Sequence, residues 1–241
     1  MKLPAINGVI RRRILVNYRM PPEVIQPLLP RRFRPKLQKG FAIAGICLIR
    51  LEEIRIKGLP SLVGISSENA AHRIAVTWED ENGKTQEGVY IPRRDTDSML
   101  NQLAGGRVFP GEHHAAEFKV QDDGERIDLN MTSKDGAVAI QVRARTAKEL
   151  PADSIFKDAQ SASAFFEPGS LGYSATAKGN RLEEIRLKTV TWRVEPMSVE
   201  HVHSSFFADK TKLPAGTVQF DCALLMRNIE HEWISEQDLY I

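Results

Sequence analysis

Residues 71–91 read AHRIAVTWEDENGKTQEGVYI, two β-prone runs joined by a short polar segment. The runs, 71–78 and 86–91, are rich in the β-branched and aromatic residues that favour strands. Asn82-Gly83 between them is among the strongest hairpin signals, because both residues tolerate a positive φ. We therefore predict an antiparallel hairpin at the centre of the chain.

A short helix is predicted directly after this hairpin, in residues 93–106. Asp95, Asp97 and Ser98 are candidate N-caps, an apolar pair follows at a spacing of four, and glycines end the segment. Phe109-Pro110-Gly111 then breaks the helix, and the next strand is expected soon afterwards.

Three consecutive strands are predicted farther along, at residues 115–120, 126–132 and 137–146. Asp122-Asp123-Gly124 and Lys134-Asp135-Gly136 separate them, and both tripeptides are typical of hairpin turns. The three runs therefore predict an antiparallel meander.

The rest of the chain adds more strands and two short helices. Gly45, inside the longest run, indicates a bulge or a close approach of two backbones. The strands are expected at residues 8–20, 31–38, 41–56, 182–194 and 218–233, and the helices at 23–29 and from about 153 to 166.

Many strands at meander spacing with few short helices predict a mainly β fold. We expect a single domain spanning residues 1–241, because no linker-like segment interrupts the sequence. The antiparallel sheet should curl into a barrel or cone closed at its ends by helices. Such a barrel has room for one small ligand.

Composition and charge are those of an ordinary globular protein. The 241 residues are 42% hydrophobic and 27% charged, and a formal net charge of +2 does not indicate nucleic-acid or membrane binding. Cys47 and Cys222 lie far apart, so no disulfide framework or zinc ribbon is expected. Apolar runs fall short of the ~18 residues of a membrane span, and the first residues lack a signal-peptide core. These observations predict a cytoplasmic protein without nucleic-acid or membrane partners.

An ordered series of short blocks carries a resemblance to a known family. The blocks are YRMPPEVIQPLLP at 18–30, EGVYIPRRDTDS at 87–98, GRVFPGEHHA at 106–115, FFEPGSLGYS at 165–174, HVHSSFFAD at 201–209 and FDCALLMR at 220–227. Together they resemble the acetoacetate decarboxylase-like superfamily, and most closely its functionally uncharacterised relatives. The resemblance covers nearly the whole chain and implies a mainly antiparallel, cone-shaped barrel with an apolar central cavity.

The decarboxylases of this superfamily form a Schiff base between a lysine and a β-keto acid, supported by an arginine and a glutamate. Glu68 matches the glutamate and Arg11 the arginine, but Gly111-Glu112 stand where the lysine is expected. Because the amine is missing, the resemblance implies a relative that is not a Schiff-base decarboxylase. No cofactor is expected.

Glu68 is the candidate general acid or base, because desolvation in an apolar cavity would raise its pKa toward working pH. The structural alternative is an ion pair with Arg11 or Arg73. His113 and His114 are candidate proton carriers, and since neighbouring strand residues face opposite sides, only one of them can face the cavity.

The histidines also raise the question of a metal site. His201 and His203 share one strand face, and His72, His113 and His114 lie elsewhere in the chain. No HExxH-like spacing is present, so no bound metal is predicted.

Arg93 and Arg94, with Arg11, are candidate anion-binding residues, because the guanidinium fork suits carboxylate or phosphate. The alternative is an ion-pair network with nearby aspartates. Ser204 and Ser205 are predicted to line the cavity or to form structural hydrogen bonds, because the GxSxG motif of a nucleophilic serine is absent.

Two functions follow from these residues. The leading hypothesis is a barrel that binds a small carboxylate- or carbonyl-bearing ligand. If the protein is an enzyme, we expect lysine-independent acid/base chemistry of a lyase or hydrolase type. The alternative is a non-catalytic binding or sensing barrel, and an interaction module is a third reading. Each of these three hypotheses is compatible with assembly as a homo-oligomer.

Overall fold

The computed structural model describes residues 5–58, 60, 64–99, 111–175, 181–189, 191–234 and 239–240. Strands dominate these residues, and the helices are short. The strands are β1 (Ile6–Met20), β2 (Arg34–Pro35), β3 (Leu37–Gln38), β4 (Phe41–Ile56), β5 (Ile65–Glu79), β6 (Thr85–Thr96), β7 (His113–Asp122), β8 (Arg126–Ser133), β9 (Ala139–Thr146), β10 (Leu171–Ala175), β11 (Arg181–Thr189), β12 (Glu195–Ser204), β13 (Gln219–Ile234) and β14 (Leu239–Tyr240). The helices are α1 (Pro22–Ile25), α2 (Ala159–Phe166) and α3 (Ser205–Ala208), with 3-10 turns at Gln26–Leu28 and Glu167–Ser170.

The strands form one sheet that closes on itself. Its hydrogen-bonded order runs β5, β6, β7, β8, β9, β12, β13, β1 and β4, and β4 pairs with β5 again. Every pairing in this ring is antiparallel except that of β6 with β7. The mainly antiparallel barrel predicted from the sequence is therefore confirmed.

A second, smaller ring shares part of this sheet. β10 pairs with β6, β11 pairs with β10, and β11 also pairs with β13. The strands β10 and β11 therefore connect β6 to β13 and close a second ring. The strands β13, β1, β4, β5 and β6 belong to both rings. We call these five strands the shared wall.

The shared wall has a separate apolar core on each face, because side chains alternate along a strand. On β1, Ile14 and Val16 pack with residues of β8 and β9 in the larger ring, whereas Ile10 and Leu15 pack with residues of β11 in the smaller one. Both cores are fully closed to solvent at these positions. The smaller core is the one that contains the cavity described below.

Gly45 lies where the backbone of β4 passes close to that of β1. A Cβ atom there would overlap the carbonyl oxygen of Val16. Glycine is required because only a hydrogen fits between the two backbones. The close approach predicted for this residue is thus present.

Both predicted hairpin systems are confirmed. β5 and β6 pair antiparallel around a tight turn in which Gly83 has φ +72° and Asp80 N–H donates to the Lys84 carbonyl oxygen at 3.0 Å. β7, β8 and β9 form the expected meander. The long strand at residues 41–56 has the predicted bounds.

The helix predicted for residues 93–106 is wrong in its first part. Residues 93–96 continue β6, because they are held between β5 on one side and β7 on the other. Residues 100–110, where the rest of that helix was predicted, lie outside the described residues.

Other boundaries differ as well. The helix predicted from about residue 153 begins at Ala159, because Asp158 caps it by accepting a hydrogen bond from Ser161 N–H at 2.7 Å. The strand predicted at 31–38 is reduced to β2 and β3, and the one predicted at 182–194 ends at Thr189. Within the described ranges, no helix has the length and apolar character needed to cross a membrane.

Candidate functional site

A cavity of about 110 Å³ lies inside the smaller ring. Its wall is mostly apolar, but it also contains three arginines, a cysteine and a histidine. These polar residues are Arg13 of β1, Cys47 of β4, Arg73 of β5, Arg94 of β6 and His113 of β7. Charged groups in an apolar enclosure are costly to bury, so each one requires an explanation.

Arg13 projects from β1 beside Cys47. Its Nε–H donates to Cys47 Sγ at 3.3 Å, and its guanidinium lies 5.6 Å from the ring centre of Trp192. Its Nη1 is buried and forms no hydrogen bond with any described residue.

Arg73 is fully enclosed in the middle of β5. Its Nη2 donates to Asn17 Oδ1, and the guanidinium lies 4.9 Å from the ring centre of Phe166. Its Nε is buried and has no hydrogen-bond partner in the described part of the chain. Burial lowers the pKa of Arg73 to about 10, so the group is still protonated at neutral pH.

Arg94 enters the cavity from β6. Its Nε–H donates to Ser174 Oγ at 3.0 Å. Its Nη2 is buried and has no hydrogen-bond partner among the residues that the structure describes. Burial lowers the pKa of Arg94 to about 10.

The three arginines share one property: their side-chain hydrogen bonds to described residues all go to neutral groups, namely a thiol, an amide and a hydroxyl. The carboxylate of Asp95 also borders the cavity, but it is fully buried against Arg93, which donates to it at 2.8 Å. The cavity therefore has an excess of positive charge.

His113 and His114 are divided by the alternation of β7. His113 borders the cavity, and burial, assisted by the charge of Arg94, lowers its pKa to about 3. Its imidazole is therefore neutral at pH 7. His114 lies outside the cavity wall, with Nδ1 3.4 Å from Asp135 Oδ2.

Glu68 lies away from the cavity, in an ion pair with Arg12. The alternative of an ion pair therefore holds, but with Arg12 in place of Arg11 or Arg73. Burial raises the pKa of Glu68, and the charge of Arg12 opposes that rise. Arg11 points to solvent, where it contacts Glu52 at 2.8 Å, so the structure does not bring Arg11 and Glu68 together.

The remaining candidates have structural partners. Arg93 donates to the carboxylates of Asp95 and Asp135, which is the ion-pair alternative considered for it. Ser204 Oγ lies 3.3 Å from His72 Nε2, and Ser205 Oγ accepts a hydrogen bond from a backbone N–H of β9 at 2.9 Å. Neither serine borders the cavity of the arginines.

Sequence reasoning missed Arg13, Arg73 and Cys47. A signal existed for Arg73, a charged residue in the middle of a predicted strand and next to the apolar run Ile74 to Val76, because a charged residue at such a position is rarely buried without a specific role. Arg13 was hidden in a run of three arginines whose faces could not be separated by alternation alone. As to metals, the described residues contain no group of three or more His, Cys, Asp or Glu side chains placed to hold an ion.

The closed, mainly antiparallel barrel with a small internal cavity has the architecture that the resemblance to the acetoacetate decarboxylase-like superfamily implies. The chain belongs to the DUF2071 family, described as an uncharacterized conserved protein, whose model matches residues 9–224. No curated protein matches this chain in sequence.

Solved structures support the fold. Acetoacetate decarboxylase from Legionella pneumophila is similar with a TM-score of 0.58 and 15% identity, over 99% of this chain and 88% of that one. The enduracididine biosynthesis enzyme MppR complexed with pyruvate gives 0.60 and 12%, over 100% and 91%. An acetoacetate decarboxylase-like enzyme from Sphingomonas wittichii gives 0.58 and 11%, over 99% and 92%.

Proposed function

We propose that this protein binds a small organic carboxylate in the cavity bordered by Arg13, Arg73 and Arg94. One observation carries the proposal: three largely buried guanidinium groups surround an apolar space, and each keeps a buried nitrogen without a hydrogen-bond partner among the described residues. Arg13 and Arg73 are only 8% and 4% exposed.

The energetics favour an anion as the missing partner. An isolated buried charge costs several kcal/mol, roughly, unless a counter-charge and hydrogen bonds offset it. Arginine presents paired N–H donors that match the two oxygens of a carboxylate. A bound carboxylate would supply both the negative charge and the acceptors that the protein chain does not provide here.

The size of the cavity limits the ligand. A volume of about 110 Å³ holds roughly four to six non-hydrogen atoms, since a cavity of about 150 Å³ holds benzene. Acetate, pyruvate and oxalate are of this size. A structure of similar fold carries pyruvate, which supports this size class.

His113 is the predicted proton carrier that borders the cavity. As a neutral imidazole it has one donor and one acceptor nitrogen, so it is suited to hydrogen-bond a carbonyl or hydroxyl of the ligand. We propose it, ahead of His114 and Glu68, for any acid/base step. A non-catalytic sensing barrel is the alternative, and saturable binding without product formation would favour it.

The cellular location we propose is the cytoplasm. Both cysteines are free, as a reducing compartment would keep them.

Thermal-shift titration and calorimetry with pyruvate, and with pyruvamide as its uncharged analogue, test the proposal. We expect saturable stabilisation by pyruvate only, reduced at least about tenfold in affinity by Arg94→Met, which removes a charge-assisted hydrogen bond of about 1.5–3 kcal/mol. Arg143→Met is the control, because that side chain is 56% exposed and pairs with Asp128 on the surface. Equal responses to pyruvate and pyruvamide would refute an anion site.

A further inference from the structure

Cys47 is the only thiol that borders the cavity in the described residues. Its Sγ accepts a hydrogen bond from Arg13 Nε at 3.3 Å. Burial lowers the pKa values of Arg73 and Arg94, and in both arginines the electrostatic interaction with Cys47 opposes this shift. The Cys47 sulfur is therefore close enough to interact electrostatically with Arg13, Arg73 and Arg94.

Reactive cysteines lie in electropositive surroundings, and their sulfur is the nucleophile. The unpaired Nη1 of Arg13 and Nε of Arg73 belong to side chains more than nine-tenths buried in the same wall. These nitrogens belong to the proposed anion site, and Cys47 lies between their strands on the adjoining strand β4. The anion site and the sulfur thus belong to one cavity.

Cys222 provides an internal comparison. It is completely buried on β13, next to Asp221, and it is not part of the cavity wall. Burial, with the charge of Asp221, raises the pKa of its thiol. The two cysteines differ in electrostatic surroundings more than in exposure, since Cys47 is itself only 8% exposed.

We propose that Cys47 is the nucleophile of this cavity and adds to a small carboxylate that carries an electrophilic carbonyl carbon, a 2-oxo acid. The inference rests on the proposed anion site and adds the bond-forming group to it. The Cys47 sulfur attacks the carbonyl carbon and forms a C–S bond, while the C=O π pair moves to oxygen. The thiol proton ends on that oxygen, giving a hemithioketal. The addition is reversible and requires no further reactant.

Two features of the site assist this addition. The arginines hold the carboxylate, so the adjacent carbonyl is confined near the sulfur, and confinement of two reacting groups raises their effective concentration. The same positive charge stabilises the oxygen as electron density moves onto it.

Alkylation tests the nucleophile without knowledge of the natural ligand. Iodoacetate transfers a carboxymethyl group to sulfur and iodoacetamide a carbamidomethyl group, each with loss of iodide and of the thiol proton, but only iodoacetate is an anion. We expect the iodoacetate-to-iodoacetamide rate ratio at Cys47 to exceed that of free glutathione by at least about tenfold, because a positive cleft concentrates anions. Peptide mass spectrometry separates Cys47 from Cys222, which we expect to react far more slowly.

Matched measurements complete the test. Acetate, which has no electrophilic carbon, should protect Cys47 from iodoacetate, and Arg13→Met should reduce the rate ratio to that of glutathione while Arg143→Met leaves it unchanged. Addition of ¹³C-labelled pyruvate should convert its ketone signal to that of a tetrahedral carbon in the wild type but not in Cys47→Ser.

The outcomes separate this inference from the proposed function. Acetate binding with a glutathione-like ratio at Cys47 would overturn the nucleophile and leave the anion site standing. Failure of acetate and pyruvate to bind at all would overturn both. Preferential, acetate-protected carboxymethylation of Cys47 supports both.

Discussion

Arg12 Nη2 donates to both carboxylate oxygens of Glu68, at 2.9 and 2.7 Å. The two side chains are 5% and 11% exposed, and Asp122 Oδ2 lies 3.4 Å from Arg12 Nη1. The pair links β1 to β5 across β4. Glu68 therefore has a structural role, whether or not it also takes part in a reaction.

Replacing Glu68 tests that duty. We expect Glu68→Gln to lower the free energy of unfolding by about 2–4 kcal/mol, because it leaves the buried Arg12 charge without its main partner. Urea denaturation measures the loss. Glu52→Gln is the matched control: its ion pair with Arg11 has a similar length but is exposed, so less than about 1 kcal/mol should be lost. Equal losses would contradict the assignment.

Adjacent arginines should respond in opposite ways to the same substitution. Arg94→Met removes a buried cation that has no carboxylate partner among the described residues, so we expect the ligand-free protein to gain about 1 kcal/mol. Arg93→Met leaves the buried carboxylate of Asp95 without its partner, so the protein should lose about 2–4 kcal/mol. Melting temperatures compare the two, and destabilisation by both would argue against an unpaired charge at Arg94.

Stability should decline in mild acid. Burial lowers the pKa values of His72 and His113 to about 3 and that of His231 to about 4. Between the ordinary histidine pKa of about 6.5 and these values, the unfolded chain binds more protons than the folded one. The stability is thus complete above about pH 6.5 and is lost as the pH falls, by about 1.4 kcal/mol per pH unit for each histidine.

The raised pKa values of Glu68 and Asp95, caused by burial, act in the opposite direction and reduce the net slope. Urea unfolding at pH 7, 6 and 5 measures the net slope. His72→Gln should make it shallower by one proton, whereas His201→Gln, on the exposed side of β12, serves as the control. An unchanged slope in His72→Gln would show that His72 is not held neutral.

The sequence predicted the elements whose conformation is determined by nearby residues, and it did not predict those determined by pairing with distant strands. The hairpin at Asn82-Gly83 and the meander follow from turn residues and side-chain alternation, and both are present. Arg93 to Thr96 became strand because two neighbouring strands hold them, and such pairing is not encoded in those residues themselves.

The choice among three consecutive arginines depends on register. β1 pairs Ile10 with Leu51 and Arg12 with Arg50 on β4, so Arg11 is an extra, bulged residue. A bulge shifts the alternation by one position. Arg11 is thereby placed in solvent, Arg12 against Glu68, and Arg13 in the cavity, which strict alternation could not predict.

Gly45 should tolerate no side chain. Gly45→Ala forces the backbones of β1 and β4 apart, because the new Cβ meets the Val16 carbonyl, and we expect a loss of about 2 kcal/mol or more. Gly172→Ala is the comparison, since its nearest neighbour is a side-chain atom of Ile91 at 3.2 Å that can move. A smaller loss at Gly45 than at Gly172 in chemical denaturation would contradict this account.

The shared wall separates the residues that line the cavity from the residues that pack the core of the larger ring. Successive residues of β1, β4, β5 and β13 face different rings. A substitution of a residue that faces the cavity in the smaller ring therefore leaves the packing inside the larger ring unchanged. The residues that line the cavity can therefore be exchanged while the larger core preserves the architecture. The doubled barrel makes new ligand preferences accessible through single substitutions.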